Sequence, residues 1–120
     1  MALILFIEDD ELLQVDGQMV LRDAGYDVAL ASTGADACVL LERHCDRVSA
    51  LVTDINLRGP MSGWQVAEAA RRLNGALPVL YVSASEHGDF AARGVPGGGW
   101  VSKPFGWSEV TRAIAAMVRT

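Results

Sequence analysis

The sequence predicts a doubly wound α/β fold, in which helices cover both faces of a five-stranded parallel sheet. Short apolar runs alternate with segments of helical periodicity along the whole chain. Strands this apolar are typical of parallel sheets that are buried on both faces. Right-handed crossovers then leave few topologies. Because 120 residues suffice for only one ordinary domain, we expect residues 1–120 to form a single unit.

Each element has its own local signal. Leu12, Val15, Met19 and Val20 repeat at helical spacing, and Gly25 ends that helix. Ser32 or Thr33 is expected to cap the second helix. The predicted strands lie at 2–7, 28–31, 50–53, 78–82 and 100–102. The other helices are predicted at 11–24, around residues 37–41, at 64–73 and at 108–119.

The fourth helix is predicted to be abbreviated. The stretch from residue 86 to residue 99 contains five glycines and a proline. In a helix interior, glycine costs about 1 kcal/mol and proline about 3 kcal/mol relative to alanine. The fourth helix is therefore limited to a turn or two, around residues 88–93.

Composition excludes several classes of protein. The net charge of -5 argues against a broad nucleic-acid or anionic-membrane surface. No apolar run approaches the length that spans a bilayer, and the first ten residues are too short and acidic for a signal peptide. The two cysteines, Cys38 and Cys45, suit buried thiols, so we expect a reducing, cytoplasmic setting.

Polar side chains collect where the predicted strands end. In a doubly wound sheet, ligands bind at the carboxyl ends of the strands, near the point where the strand order reverses. The order 2-1-3-4-5 places the polar strand ends together and the second strand, which ends without such groups, on the outside. The gathered residues are Glu8, Asp9, Asp10, Asp54, Ser83 and Lys103.

These residue types suit magnesium-dependent phosphoryl transfer. Clustered carboxylates repel each other, and a hard divalent cation relieves the repulsion. An all-oxygen set without Cys or His fits Mg²⁺ better than zinc. Lys103, the only lysine among ten basic residues, would neutralise phosphoryl oxygens, Ser83 would donate a hydrogen bond, and one carboxylate would be the nucleophile. Acidic runs are also common as solvated faces or helix caps, and Asp10 suits an N-cap.

The sequence resembles the receiver domain of two-component response regulators, which has a flavodoxin-like fold. The resemblance covers essentially the whole chain, and it rests on the segments 4–10 (ILFIEDD), 51–56 (LVTDIN), Gly63, 78–84 (PVLYVSA) and 101–105 (VSKPF). It implies phosphorylation of Asp54 by a histidine kinase or a histidine phosphotransfer protein. It also implies Mg²⁺ ligation by Asp9, Asp54 and the backbone carbonyl of Asn56, with Glu8 acting through water.

The same resemblance assigns roles to the other residues that match the motifs of the family. Lys103 would pair with the phosphoryl group, Ser83 would move toward it, and the bond before Pro104 would be cis. Trp100 stands where the family usually has a Tyr or Phe that swings inward on phosphorylation, so Ser83 and Trp100 form the expected switch. Arg58 occupies a place that is usually proline, and the 54–63 loop is one residue longer than the commonest form.

Signalling is expected through contacts with other proteins. The predicted output face comprises the fourth helix, fifth strand and fifth helix, with His87, Phe90, Trp100, Trp107 and Arg112. Trp107 could instead cover the core from the first turn of its helix. No output segment follows the last helix, so we expect a stand-alone receiver that binds a target or drains phosphoryl groups. Asn56 and Ser85 leave the site open to water, which predicts phosphoryl hydrolysis within seconds to minutes.

Three other functions compete with this one. A phosphatase with an Asp nucleophile would carry a second Asp two residues later, where this chain has Asn56. A flavodoxin-like cofactor module would need a phosphate-binding loop after the first strand, where residues 8–11 are all acidic. A degenerate receiver that only docks to a partner is the remaining alternative.

Overall fold

The fold is a five-stranded sheet flanked by helices on both faces, here described from a computed structural model that covers residues 2–44, 46–83, 90–103 and 106–118. Strands and helices alternate along the chain, as the sequence predicts. The strands are β1 (Leu3–Ile7), β2 (Asp27–Ala31), β3 (Val48–Asp54), β4 (Val79–Ser83) and β5 (Gly99–Ser102). The helices are α1 (Glu11–Asp23), α2 (Gly34–His44), α3 (Gly63–Leu73), α4 (Phe90–Arg93) and α5 (Trp107–Met117).

The sheet is parallel throughout, in the order β2-β1-β3-β4-β5. The predicted strand order is therefore confirmed. The register pairs Ile7 with Thr53 and Asp54 with Val82, so that the carboxyl ends of β1, β3 and β4 are level. Polar residues that follow these strands consequently share one edge of the sheet.

Alternate residues of the strands supply two separate cores. Leu5, Leu51 and Tyr81 face one core, which α2 and α3 cover. Phe6, Val52 and Leu80 face the other, to which α5 contributes Val110 and Ile114. The period of two along each strand sends successive side chains to opposite faces, and the side chains of β1, β3 and β4 are buried on both faces, which explains the near-continuous apolar runs.

Helix α1 forms where predicted, but most of the residues behind the prediction do not pack. Leu12, Val15 and Met19 are 77%, 59% and 56% exposed. The helix instead buries Gly17 and Leu21. A methyl group on Gly17 would lie 2.4 Å from the Phe6 ring, so the helix approaches the sheet through its glycine. The apolar spacing identified the helix but not the face that packs.

The helix starts agree with the local signals. Asp10 is the N-cap of α1, and its carboxylate accepts hydrogen bonds from the amides of Leu12 and Leu13. Thr33 caps α2 by accepting from the amide of Asp36 at 3.1 Å. The predicted caps at these two helices are therefore confirmed.

The remaining fold predictions concern the fourth helix, the cysteines and residues that the structure does not describe. Helix α4 is four residues long within the described part of the chain, in keeping with a shortened fourth helix. Cys38 is a free, half-buried thiol. The predictions for Cys45, Ser85, His87, the cis bond before Pro104 and the last residues of α5 lie outside the described residues.

The two tryptophans of the predicted output face pack against opposite cores. Trp100 packs with Trp64, Tyr81 and Phe90, with ring centroids 5.5 to 6.3 Å apart. Trp107 meets the edge of Phe6, 6.1 Å away on the other side of the sheet. The alternative in which Trp107 covers the core is thus the one observed.

Candidate functional site

The carboxyl edge of the sheet brings together side chains from three strand ends. Glu8 and Asp9 follow β1, Asp54 ends β3, and Lys103 follows β5. Glu8 is 1% exposed and Asp54 is 7% exposed. Charged groups are rarely buried to this extent unless they are paired, so the site is built around compensating charges.

Lys103 bridges the two buried carboxylates. Its Nζ lies 2.9 Å from Oε1 of Glu8 and 3.0 Å from Oδ2 of Asp54. The backbone amide of Lys103 donates to the carbonyl of Ser83 at 2.8 Å, which fixes the start of the side chain against β4. One ammonium therefore holds residues that lie 95 and 49 positions away in the sequence.

Burial and pairing act in opposite directions on these charges. Burial raises the pKa of Glu8, and the nearby charge of Asp54 adds to the rise, while hydrogen bonds from Lys103 and the Asp10 amide oppose it. Burial alone would lower the pKa of Lys103, but the hydrogen bonds to Glu8 and Asp54 outweigh it and raise that pKa. Lys103 is thus held in its charged form.

The carboxylate of Asp54 is oriented by its own backbone neighbourhood. The amide of Ile55 donates to Oδ1 at 2.7 Å, which leaves Oδ2 for Lys103. The Thr53 hydroxyl donates to the Asp54 carbonyl at 2.8 Å. A β-carbon on Gly63 would lie 2.0 Å from that same carbonyl oxygen. Glycine is therefore required where α3 begins against the end of β3.

A cation site can be assembled from these carboxylates. Glu8, Asp9 and Asp54 each offer an oxygen, and these oxygens lie within 4.8 Å of one another. The donors are all hard oxygens, which is the set that Mg²⁺ prefers. Both oxygens of Glu8 already have protein partners, since Oε1 pairs with Lys103 and Oε2 accepts from the Asp10 amide. Both oxygens of Asp54 also have protein partners, the Ile55 amide and Lys103, so a cation would share these carboxylates with donors of the protein itself.

The remaining predicted residues surround this cluster. Ser83 is fully buried at the end of β4, one residue beyond the partner of Asp54 in the register. Asn56 is exposed and follows Asp54 by two residues. Trp100 is half-buried, and its indole N–H donates to the hydroxyl of Ser102 at 3.1 Å. The indole therefore has the polar partner that it needs.

Two contributors to the site were not found from the sequence. Gln14 donates from its amide nitrogen to the carbonyl of Glu8 and to the hydroxyl of Ser32 at 2.9 Å, which ties α1 to the ends of β1 and β2. Arg58 reaches Asp9, with 4.0 Å between Nε and Oδ2. Gln14 carries no distinguishing pattern in the sequence, and Arg58 was marked there only as standing at a position that is usually proline. The tertiary structure alone shows that both reach the site.

Comparison with protein families gives one match over almost the whole chain. The family described as the response regulator receiver domain matches residues 4–115. A probable transcriptional regulatory protein of Mycobacterium tuberculosis, TcrX, is 31% identical over 118 residues, which is 97% of this chain and 49% of TcrX. The chain therefore spans about half the length of this curated relative.

Solved structures give the same fold. A response regulator receiver protein from Sinorhizobium medicae superposes with a TM-score of 0.93 at 32% identity, covering 98% of this chain and 94% of that one. The receiver domain of the Pseudomonas aeruginosa sensor histidine kinase PA1611, solved with magnesium in its active site cleft, has a TM-score of 0.84 at 25% identity, covering 98% and 97%. Within the residues that the structure describes, no helix has the length and apolar character to cross a bilayer.

Proposed function

We propose, since this chain belongs to the response regulator receiver domain family, that it accepts a phosphoryl group on Asp54 in a Mg²⁺-dependent reaction. The observation that carries the proposal is the pairing of Lys103 with Asp54 at 3.0 Å beside two further carboxylates. A buried carboxylate that faces an ammonium at the open edge of a sheet is a suitable nucleophile for phosphorus.

The transfer itself needs little covalent chemistry from the protein. A carboxylate oxygen of Asp54 attacks phosphorus, the bond from phosphorus to the donor nitrogen breaks, and its electron pair stays on the donor imidazole. The Ile55 amide holds the carboxylate in place, and Lys103 offsets the charge on the phosphoryl oxygens. When bound by Asp9, Asp54 and the Asn56 carbonyl, with Glu8 acting through water, Mg²⁺ would neutralise further phosphoryl charge.

The first experiment is incubation with acetyl phosphate and Mg²⁺, read by intact mass. We expect the mass of one phosphoryl group to be gained by the wild type and not by Asp54→Asn, and the gain to disappear in EDTA. Asp16→Asn, which removes an exposed carboxylate from α1, is the matched control and should be phosphorylated like the wild type. A folded protein that gains no mass from any donor would favour the alternative, a docking domain that works without phosphorylation.

We place the docking of the phosphodonor protein on α1. Leu12, Val15 and Met19 share one face of the helix, and Leu12 lies two residues after the cap that follows the cleft carboxylates. Contiguous exposed apolar residues mark interaction sites more often than isolated ones do. A histidine kinase or phosphotransfer protein must bring its phosphohistidine to Asp54, and an apolar face that starts beside the cleft is positioned to hold it.

The double variant Leu12→Ser, Val15→Ser separates docking from chemistry. With any autophosphorylated histidine kinase that phosphorylates the wild type, we expect transfer to slow by about tenfold or more, which is a modest loss for removed interface anchors. Phosphorylation by acetyl phosphate should not change. Val39→Ser, at an exposed apolar residue of α2, is the control and should leave both rates intact. Equal kinase rates in the double variant and the control would refute this docking site.

We propose that the phosphorylated protein signals to a protein target through the face formed by α4, β5 and α5, with Ser83 and Trp100 as the residues that move. The alternative role is to drain phosphoryl groups from a kinase. The support is the position of Trp100, which packs against the rings of Trp64, Tyr81 and Phe90. Phosphorylation should change the tryptophan fluorescence of the wild type and not that of Trp100→Phe.

The phosphoryl group on Asp54 should be hydrolysed within minutes. A lifetime of many hours would contradict a phosphorylation site that is open to water.

A further inference from the structure

Arg58 lies at the mouth of the cleft, on the loop between β3 and α3. We propose that its guanidinium competes with the divalent cation for Asp9 and so sets how tightly the metal binds. The inference rests on the proposed function, because it concerns the cation that phosphoryl transfer would use. Arg58 lies outside the sequence motifs that form the cleft.

The backbone of Arg58 is held in place next to the cleft. Residues 33 and 58 form an isolated parallel bridge, which ties the loop to the segment between β2 and α2. Thr33 is itself fixed, because its side chain caps α2. The next residue, Gly59, has a φ of 89°, a left-handed conformation that glycine adopts without strain. The side chain of Arg58 therefore starts from an anchored point rather than from a free loop.

The side chain reaches one particular carboxylate. Nε of Arg58 lies 4.0 Å from Oδ2 of Asp9, while Lys103 pairs with the other two members of the cluster, Glu8 and Asp54. The Asp9 side chain is 22% exposed, and the Arg58 side chain is 78% exposed. The guanidinium therefore lies largely in water and the carboxylate keeps some contact with solvent, so the ion pair is screened and opens at a modest cost.

Competition follows from charge and from the shared ligand. The three carboxylates of the cluster face two cationic side chains, so removal of Arg58 leaves more uncompensated negative charge for a divalent cation. A cation that is bound to Asp9 must displace the guanidinium from the same carboxylate or lie close to it, and like charges repel. Both effects weaken metal binding in the wild type. Because the pair is exposed, the weakening is modest and depends on salt.

The affinity can be measured without any phosphoryl transfer. Mn²⁺ serves as the probe, since it takes the same oxygen ligands as Mg²⁺ and its free form is counted directly by electron paramagnetic resonance. Competition with Mg²⁺ then gives the Mg²⁺ dissociation constant. We expect Arg58→Ala to bind both ions about two- to fivefold more tightly than the wild type at low salt, with the difference shrinking at higher ionic strength.

Two further variants keep the test specific. Arg58→Lys retains the charge and should keep an affinity close to that of the wild type. Arg47→Ala removes an arginine of similar exposure that also pairs at 4.0 Å, with Asp27 at the far end of β2, and should change nothing. Circular dichroism checks that all the variants are folded.

The outcomes separate this inference from the proposed function. A wild type that binds Mn²⁺ while Arg58→Ala binds no more tightly overturns the inference and leaves phosphorylation of Asp54 standing. Equal tightening in Arg58→Ala and Arg58→Lys assigns the effect to loop shape and also overturns it. A wild type that binds neither ion removes the metal requirement of the proposed function, and this inference with it.

Discussion

The two sides of the cleft handle charge in different ways, although they begin with adjacent residues. Glu8 is buried and is paired with Lys103 at 2.9 Å, whereas Asp9 is partly exposed and meets Arg58 at 4.0 Å. Both residues follow the end of β1, and Asp9 lies in a bend, so the two consecutive carboxylates enter different surroundings. The comparison indicates that the buried side, with Glu8 and Lys103, fixes the geometry of the site, and that the mouth, with Asp9 and Arg58, adjusts the affinity of the site for a divalent cation.

The physical reason is the difference in solvent screening. In water, the interaction of two opposite charges 4 Å apart is worth about 1 kcal/mol, and it is several times stronger where protein replaces water. The loss of one member of a buried pair leaves an uncompensated charge, and the loss of an exposed partner does not. Substitutions on the buried side should therefore cost more stability than substitutions at the mouth, and the following predictions compare the two.

The largest difference is expected between two glycines, one on each side. Gly63→Ala would force a β-carbon against the backbone carbonyl of Asp54, and we expect a stability loss of about 3 kcal/mol or more, because backbone atoms at the end of β3 cannot move aside. Gly59→Ala, at the mouth, meets open space and only a strained φ of 89°, so a loss of about 1 kcal/mol is expected. Urea unfolding measures both. Similar losses at the two positions would contradict the comparison.

The next difference concerns the two cations. Lys103→Met leaves Glu8 and Asp54 facing each other at a buried edge, and we expect the protein without metal to lose about 2 kcal/mol of stability at neutral pH, less than for a fully buried pair because the Lys103 side chain is 18% exposed. Arg58→Met should cost about 0.5 kcal/mol or less. Thermal and urea unfolding in EDTA provide the measurement. A larger loss at Arg58 would reverse our assignment of the two sides.

The smallest effect is the pH dependence of that Lys103 contribution. The pKa of Lys103 is raised above its usual value of 10.5 by its two carboxylate partners. A raised folded pKa gives stability that is fully present below the unfolded value and is lost as pH rises through the folded value. The difference in unfolding free energy between wild type and Lys103→Met, measured in EDTA, should stay constant from pH 7 to about pH 9 and shrink above pH 10.5. A difference that grows with alkaline pH would contradict the pairing.

The sequence predicted the site better than it predicted helix packing. Glu8, Asp9, Asp54 and Lys103 could be assigned to one edge because each follows an apolar strand, and parallel strands end at a common edge. On α1, by contrast, apolar spacing indicated a helix, yet Leu12 and Met19 lie in solvent. Spacing reports that side chains share a face, and it does not report whether the rest of the fold covers that face.

Periodicity and strand-end chemistry in the sequence alone were enough to specify the sheet order, the cap at Asp10, a second cap at Ser32 or Thr33, and the set of carboxylates with their single lysine. The tertiary structure decided which face of α1 packs, that Trp100 and Trp107 lie on opposite sides of the sheet, and that Arg58 meets Asp9. The local pattern depends on neighbours along the chain, whereas these three outcomes depend on surfaces supplied by distant segments, such as Phe6 against Gly17.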